Sequence, residues 1–187
     1  MAIAYLNPAS ATTNTNWDSS TVSELDQGET ANIWTSTANN AALVVTLDDF
    51  DYAGLGVSSI TSVQIIIVGR YNNRVGQWTA RTRITNASGT SYYLEDLTVP
   101  AGRTVSTVSG TVRTTSDGAN PGTDSNLDGM KLELASPDCV TLGELDQFYI
   151  KVIYATGYGN TVNKVIPANI SKINGIATAD ISKVNGI

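Results

Sequence analysis

The chain contains no histidine, and this absence removes more chemistry than any other feature of its composition. A Ser-His-Asp or Cys-His arrangement cannot be assembled, and the commonest metal ligand is missing. Cysteine is scarce too. Cys139 stands alone, so no disulfide within the chain can staple the fold, and a thiol of this kind packs as a small apolar residue. Charged residues make up 15% of the chain, against a usual ~25%. With only 11 Lys and Arg and a net charge of −6, the general electrostatic case for nucleic acid or an anionic membrane is lacking. No apolar run approaches the ~18 residues of a membrane span. Met1–Pro8 has neither the basic start nor the apolar core of a secretory leader. The expectation is a protein made in a cytoplasm, with no cofactor, no nucleic-acid or membrane partner and no catalytic activity.

What fills the space is Thr, Ser, Asn and Gly, interleaved with Val/Ile-rich runs in a chain that is 41% hydrophobic. That is the composition of an all-β protein whose exposed strand faces carry hydroxyls and amides. Residues 1–29, polar around Trp17, read as an N-terminal arm or loop. Strands are then expected at Ala31–Ser36, Ala41–Leu47, Ile60–Val68, Gln77–Thr85, Ser91–Val99, Arg103–Arg113, Met130–Leu134 and Gln147–Tyr154. In Gln77–Thr85 the alternation is clean, with Trp78, Ala80, Thr82 and Ile84 on one face and Gln77, Thr79, Arg81 and Arg83 on the other. Ile60–Val68 is apolar on both faces, so Ile66 and Val68 are expected to meet a neighbouring subunit or a second layer. No window carries a capped helical period. The pattern predicts a β-sandwich, jelly-roll-like, over residues 30–156, with Trp34 and Trp78 in its core.

Beyond residue 156 the sequence changes character. Ala168–Ile176 returns as Ala179–Ile187, offset by 11 residues, with seven of nine positions identical. Each copy spaces its apolar residues three apart, Ile170, Ile173 and Ile176, then Ile181, Val184 and Ile187, which fits neither a strand nor a helix. Asn174-Gly175 and Asn185-Gly186 mark tight turns. Such units bury little alone and cannot offset backbone ordering at about 1–2 kcal/mol per residue. Residues 157–187 are therefore expected to be an extended assembly tail that makes a homo-oligomer. A trimer is favoured, because three chains about an axis would use the i, i+3, i+6 rows repeatedly.

Other constellations have simpler readings. Asp48, Asp49 and Asp51 cluster after a strand, where two acids would suit glycoside hydrolysis, but loop solvation explains them. Asp117, Asp124 and Asp128 are hard-oxygen candidates for calcium, beside turn sequences that satisfy the backbone without an ion. Arg70, Arg74, Arg81 and Arg83 form a basic cluster that reads as a solvated strand face with acidic neighbours. Trp17, Trp34, Trp78 and the pair Tyr92-Tyr93 would suit a sugar-stacking platform, the rival function on this fold, although the alternating strands around Trp34 and Trp78 favour the core for those two.

Taken together, Trp17, Leu43–Leu47, the segment Gly56-Val57-Ser58-Ser59-Ile60-Thr61-Ser62-Val63-Gln64-Ile65 and the closing Glu144–Tyr154 resemble β-sandwich modules of tailed-bacteriophage virions. The Ile-Ser-Lys-Ile-Asn-Gly-Ile tail resembles repeats that end phage head, neck and tail proteins. The resemblance implies a non-enzymatic virion component, decorating the head or serving as a fibre or adaptor, anchored by its tail to other virion proteins and assembled in a bacterial host. The alternative it leaves open is a carbohydrate- or receptor-binding module.

Overall fold

The structure, a computed structural model, describes residues 1–19, 21–28, 33–38, 40–72, 77–85, 91–114, 127–136, 143–156, 172–173 and 176–177. In chain order the strands are β1 (Ala2–Leu6), β2 (Pro8–Thr15), β3 (Trp34–Thr35), β4 (Ala41–Leu47), β5 (Val57–Tyr71), β6 (Gln77–Thr85) and β7 (Ser91–Pro100). They continue as β8 (Ser106–Ser109), β9 (Arg113–Thr114), β10 (Lys131–Ser136), β11 (Gly143–Thr156), β12 (Lys172–Ile173) and β13 (Ile176–Ala177). One 3-10 turn, Val22–Leu25, completes the set and buries Leu25.

Two sheets form. One runs β1-β11-β5-β8, with β3 also on β11 and β9 also on β5; the other runs β2-β4-β10-β6-β7. Their pairings follow a rule: β1 with β11, β4 with β10, β5 with β8 and β6 with β7, all antiparallel. First meets last and the middle strands meet each other, which is a long antiparallel ribbon folded double and rolled. That strand order is a jelly roll.

Alternation explains which faces meet. In β4 the buried residues are Ala41, Leu43, Val45 and Leu47, and in β6 the buried apolar ones are Trp78, Ala80 and Ile84. They pack against Ile65 and Ile67 of β5 and Phe148, Ile150, Val152 and Tyr154 of β11 in one continuous core. Each large apolar side chain buried there contributes about 1.5–3 kcal/mol. Trp17, bridged to Ser36, sets its ring 5.9 Å from Trp78 and closes one end of the core.

Four expectations need correction. Residues 2–15 are not an arm: β1 pairs with β11 and β2 with β4, inside the sandwich. The stretch Pro8–Thr15 reads as loop because it is an edge strand with almost every side chain in water, so it shows no apolar period. The predicted strand Arg103–Arg113 is broken at Gly110. Between the pairs Ile66↔Ser109 and Val63↔Arg113 the second strand carries one extra residue, a bulge. Third, Ile66 and Val68 are covered within the chain itself, beside Tyr149 and Val105, in a small cluster on the outer side of the sheet. Fourth, the arginine cluster is split, since Arg70 lies on β5 and Arg81 and Arg83 on β6 of the other sheet. In the tail, β12 and β13 pair antiparallel with Ile173 opposite Ile176. Ile170, Asn174, Gly175, Ile181, Val184, Asn185, Gly186 and Ile187 lie outside the described residues, as do Arg74 and Cys139.

Candidate functional site

The most organised surface is the outer face of the β2-β4-β10-β6-β7 sheet, and strand register builds it. With Trp78, Ala80, Thr82 and Ile84 committed to the core, Arg81 and Arg83 must point outward. Pairing then lines up two rows across four strands. Val44, Glu133, Arg83 and Leu94 form one; Ala42, Ala135, Arg81 and Asp96 form the next.

Within the rows the charges are matched by geometry. Arg81 donates through Nε to Asp96 Oδ1 at 2.8 Å and through Nη2 to Oδ2 at 3.0 Å, a two-pronged contact. Arg83 donates through Nε to Glu133 Oε2 at 2.8 Å, and its Nη2 reaches the same oxygen. Thr85 Oγ1 donates to Glu133 Oε1 at 2.9 Å, so that carboxylate is held at both oxygens. The hydrogen bond from Arg81 holds the Asp96 carboxyl below its ordinary 3.8, against desolvation by burial, with the positive charge of Arg81 adding to the lowering.

The small side chains Ala42, Val44 and Ala135 make a low floor, and Arg81, Arg83, Glu133 and Leu94 stand above it. The result is a half-open groove of about 310 Å³. Leu94 is 59% exposed at its edge. The arrangement offers N–H donors, carboxylate acceptors and an apolar patch within one register-fixed surface.

The residues singled out from the sequence fall elsewhere for the most part. Asp128 Oδ1 accepts the Phe50 N–H at 3.0 Å and so caps a loop; Asp117 and Asp124 lie outside the described residues. Among the described residues no group of three or more His, Cys, Asp or Glu could hold a metal ion. Asp51 accepts the Gly54 N–H at 2.7 Å within its own turn, and Asp48, Asp49 and Asp51 are all exposed. Trp34 and Trp78 are buried completely and Trp17 nearly so, so none offers a stacking face. Tyr92 and Tyr93 lie in β7, where the pairing shifts between Ile84↔Tyr93 and Thr85↔Ser91. Arg70 pairs with Glu144 and the Arg103 carbonyl, remote in register from the groove. Of the sequence-flagged residues whose side chains are described, only Arg81 and Arg83 belong to the site. Leu94, Asp96 and Glu133 were missed. Their signal was the hairpin between β6 and β7, whose register would have set Leu94 and Asp96 beside the two arginines.

No family model and no curated protein matches the chain. Solved structures similar to it include a family 35 carbohydrate-binding module from Clostridium thermocellum, 14% identical, with a TM-score of 0.44 over 83% of this chain and 100% of that one. Another is a family 35 module from Paenibacillus barcinonensis, 12% identical, TM-score 0.44, covering 82% of this chain and 98% of that one. A third is the enzymatically active domain of tailspike protein 4 of bacteriophage CBA120, 13% identical, TM-score 0.43, covering 81% of this chain and 19% of that one.

Proposed function

We propose that the protein is a non-catalytic binding module whose ligand is a glycan, held in the groove on the outer face of the β4-β10-β6-β7 strands. The observation that carries this reading is the double row in which Arg81–Asp96 and Arg83–Glu133 stand beside exposed Leu94 over an alanine and valine floor. Sugar hydroxyls both donate and accept, and a surface that sets guanidinium donors next to carboxylate acceptors meets both needs. The C–H face of a pyranose ring finds its apolar counterpart in Leu94. The arginines are already held by their partners, so little rotamer freedom remains to be lost on binding. The groove volume sits at the low end of ligand sites, which span about 300–1,000 Å³, and suits a short glycan segment.

The carboxylates of these rows support binding in preference to cleavage. A glycosidase needs an acid whose proton is held more tightly than usual. Asp96 is shifted the other way by Arg81, and Glu133 is engaged by Arg83 and Thr85. A glycan array probed with the whole chain tests the proposal. Retention of at least one glycan class is expected, with about tenfold weaker binding in Leu94→Ala and in Arg83→Ala and unchanged unfolding curves. Absence of retained glycan, or indifference to both substitutions, would overturn it.

The tandem repeat of residues 168–187 favours a second reading that is compatible with the first. On it the module is a tailed-phage virion component, and the tail joins copies or fixes them to other virion proteins. Solution mass separates the two roles. A trimer that dissociates in Ile173→Asp while glycan binding persists supports an assembly tail, and a monomer at all concentrations removes the trimer.

A further inference from the structure

We infer, on the reading that this groove takes a glycan, that it selects uncharged glycans, and that Asp96 and Glu133 impose the selection by occupying the guanidinium groups of Arg81 and Arg83. Recognition of an acidic sugar by a protein surface normally rests on a guanidinium fork or an ammonium free to meet the carboxylate. The groove holds two guanidinium groups, and each is answered by a carboxylate from the adjacent strand. Arg81 spends both Nε and Nη2 on Asp96, and Arg83 both Nε and Nη2 on Glu133.

The lining carries two arginines and one glutamate, and Asp96, paired with Arg81 beside the lining, balances the second arginine. Lys131 stands one row beyond, between Thr46 and Thr85, and is not part of the groove wall. An incoming carboxylate or sulfate would approach within reach of Asp96 or Glu133 and meet like charge. Such a juxtaposition is a device of exclusion, which separates ligands by repulsion instead of by added attraction. A neutral glycan pays no such penalty, because its hydroxyls accept from the guanidinium edges and donate to the carboxylates.

The arrangement also predicts how to reverse the preference. Asp96→Asn keeps the size of the side chain and one oxygen for Arg81, but removes the negative charge that balances Arg81 and leaves its guanidinium uncompensated. Because Asp96 and Arg81 are both nearly half exposed, the substitution leaves the fold intact. Glu133→Gln is the independent second variant on the other pair.

The experiment measures affinity of the whole chain and the two variants for a neutral oligosaccharide found on the array and for its uronic-acid-bearing counterpart, at two salt concentrations. The wild type is expected to bind the neutral form more tightly by about tenfold or more. Asp96→Asn or Glu133→Gln should narrow or invert that ratio, with the gained acidic binding weakened by salt. Tighter wild-type binding of the acidic form overturns this inference while leaving the glycan reading in place. An unchanged ratio in both variants overturns the assignment of the determinants. Binding of neither form overturns the glycan reading and this inference with it.

Discussion

Glu95 of β7 crosses the mouth of the sandwich to the bulge at Gly110, so that a methyl group on the glycine would overlap the Glu95 carboxylate. Its Oε2 accepts the Thr111 N–H at 2.9 Å and lies 4.0 Å from Arg113 Nη2, while Oε1 is buried against the glycine with no hydrogen-bond partner among the described residues. Gly110 is fixed from the other side too, by its N–H on the Ile65 carbonyl at 2.9 Å and by Gln64 Nε2 on its own carbonyl at 2.8 Å. One side chain thus ties the β7 edge of one sheet to the β8–β9 break in the other. Glu95→Ala is expected to lower stability by about 1–3 kcal/mol through the lost charged hydrogen bond. Gly110→Ala should also destabilise, by displacing the carboxylate. The double variant should lose less than the sum, since the small residue at 95 makes room for the methyl group. Additive losses in urea unfolding would show that the two residues act independently.

Gly69 poses a harder steric limit. A Cβ there would stand 2.5 Å from the Glu144 carbonyl oxygen, part of the backbone of β11, where the β5–β11 register shifts between Leu145 and Gln147. Backbone in the middle of a sheet cannot swing aside as a side chain can. Gly69→Ala should destabilise by about 1–3 kcal/mol or more. Gly102→Ala, whose nearest neighbour atom would be 3.6 Å away, serves as the control and should be nearly neutral in thermal unfolding.

Ile66→Asp distinguishes core from interface. Ile66 is 5% exposed, beside Tyr149, and a carboxylate placed there lacks water and a partner. The expected loss is about 3 kcal/mol or more, with no specific change in association. Ile3→Asp on the exposed part of β1, where the residue is 51% exposed, should be tolerated. A folded Ile66→Asp variant that only dissociates would restore the interface reading.

Two groups give the stability profile opposite limbs. Asp96 is lowered from 3.8 by its hydrogen bond from Arg81, so its contribution is present above pH 3.8 and is lost as pH falls through the depressed native value. Asp96→Asn should flatten that acid limb. Tyr149 is raised above 10.0, first by burial and then by Tyr5, whose ring meets it edge-on at 5.5 Å. Its contribution is present below pH 10.0 and is lost as pH rises through the raised value. Titration by phenolate absorbance should place Tyr149 late, and Tyr5→Phe should move it back toward 10.0. A Tyr149 that titrates at its ordinary value would refute the burial argument.

Strands with one wet and one dry face were legible almost to the residue. Ala41–Leu47 and Gln77–Thr85 have their predicted ends, because alternation against a core is a local property of the chain. Pro8–Thr15 was not legible, since an edge strand is specified by backbone pairing to β4 and its side chains need no pattern. The groove was half legible for a related reason. Arg81 and Arg83 declare themselves as the polar face of one strand, but their acids come from positions 15 and 50 residues away. Only the pairing of β6 with both β7 and β10 brings them together, and register across a sheet is a relation between segments that neither segment carries alone.

The pairing of β1 with β11 also decides how the domain would bear a mechanical load. Ala2 sits opposite Tyr154, at the open end of that pair. Tension applied between residue 2 and residue 156 therefore acts across the ladder, not along it. Hydrogen bonds would yield one pair at a time from Ala2↔Tyr154 toward Leu6↔Ile150, as in a zipper. Force that enters through β11 and leaves through the sheet loads the molecule differently, because β11 is ladder-bonded on both sides to β1 and β5. The same strand order that rolls the ribbon shut leaves one weak seam for force applied at its two ends, and a far stronger path for force that leaves through the sheet.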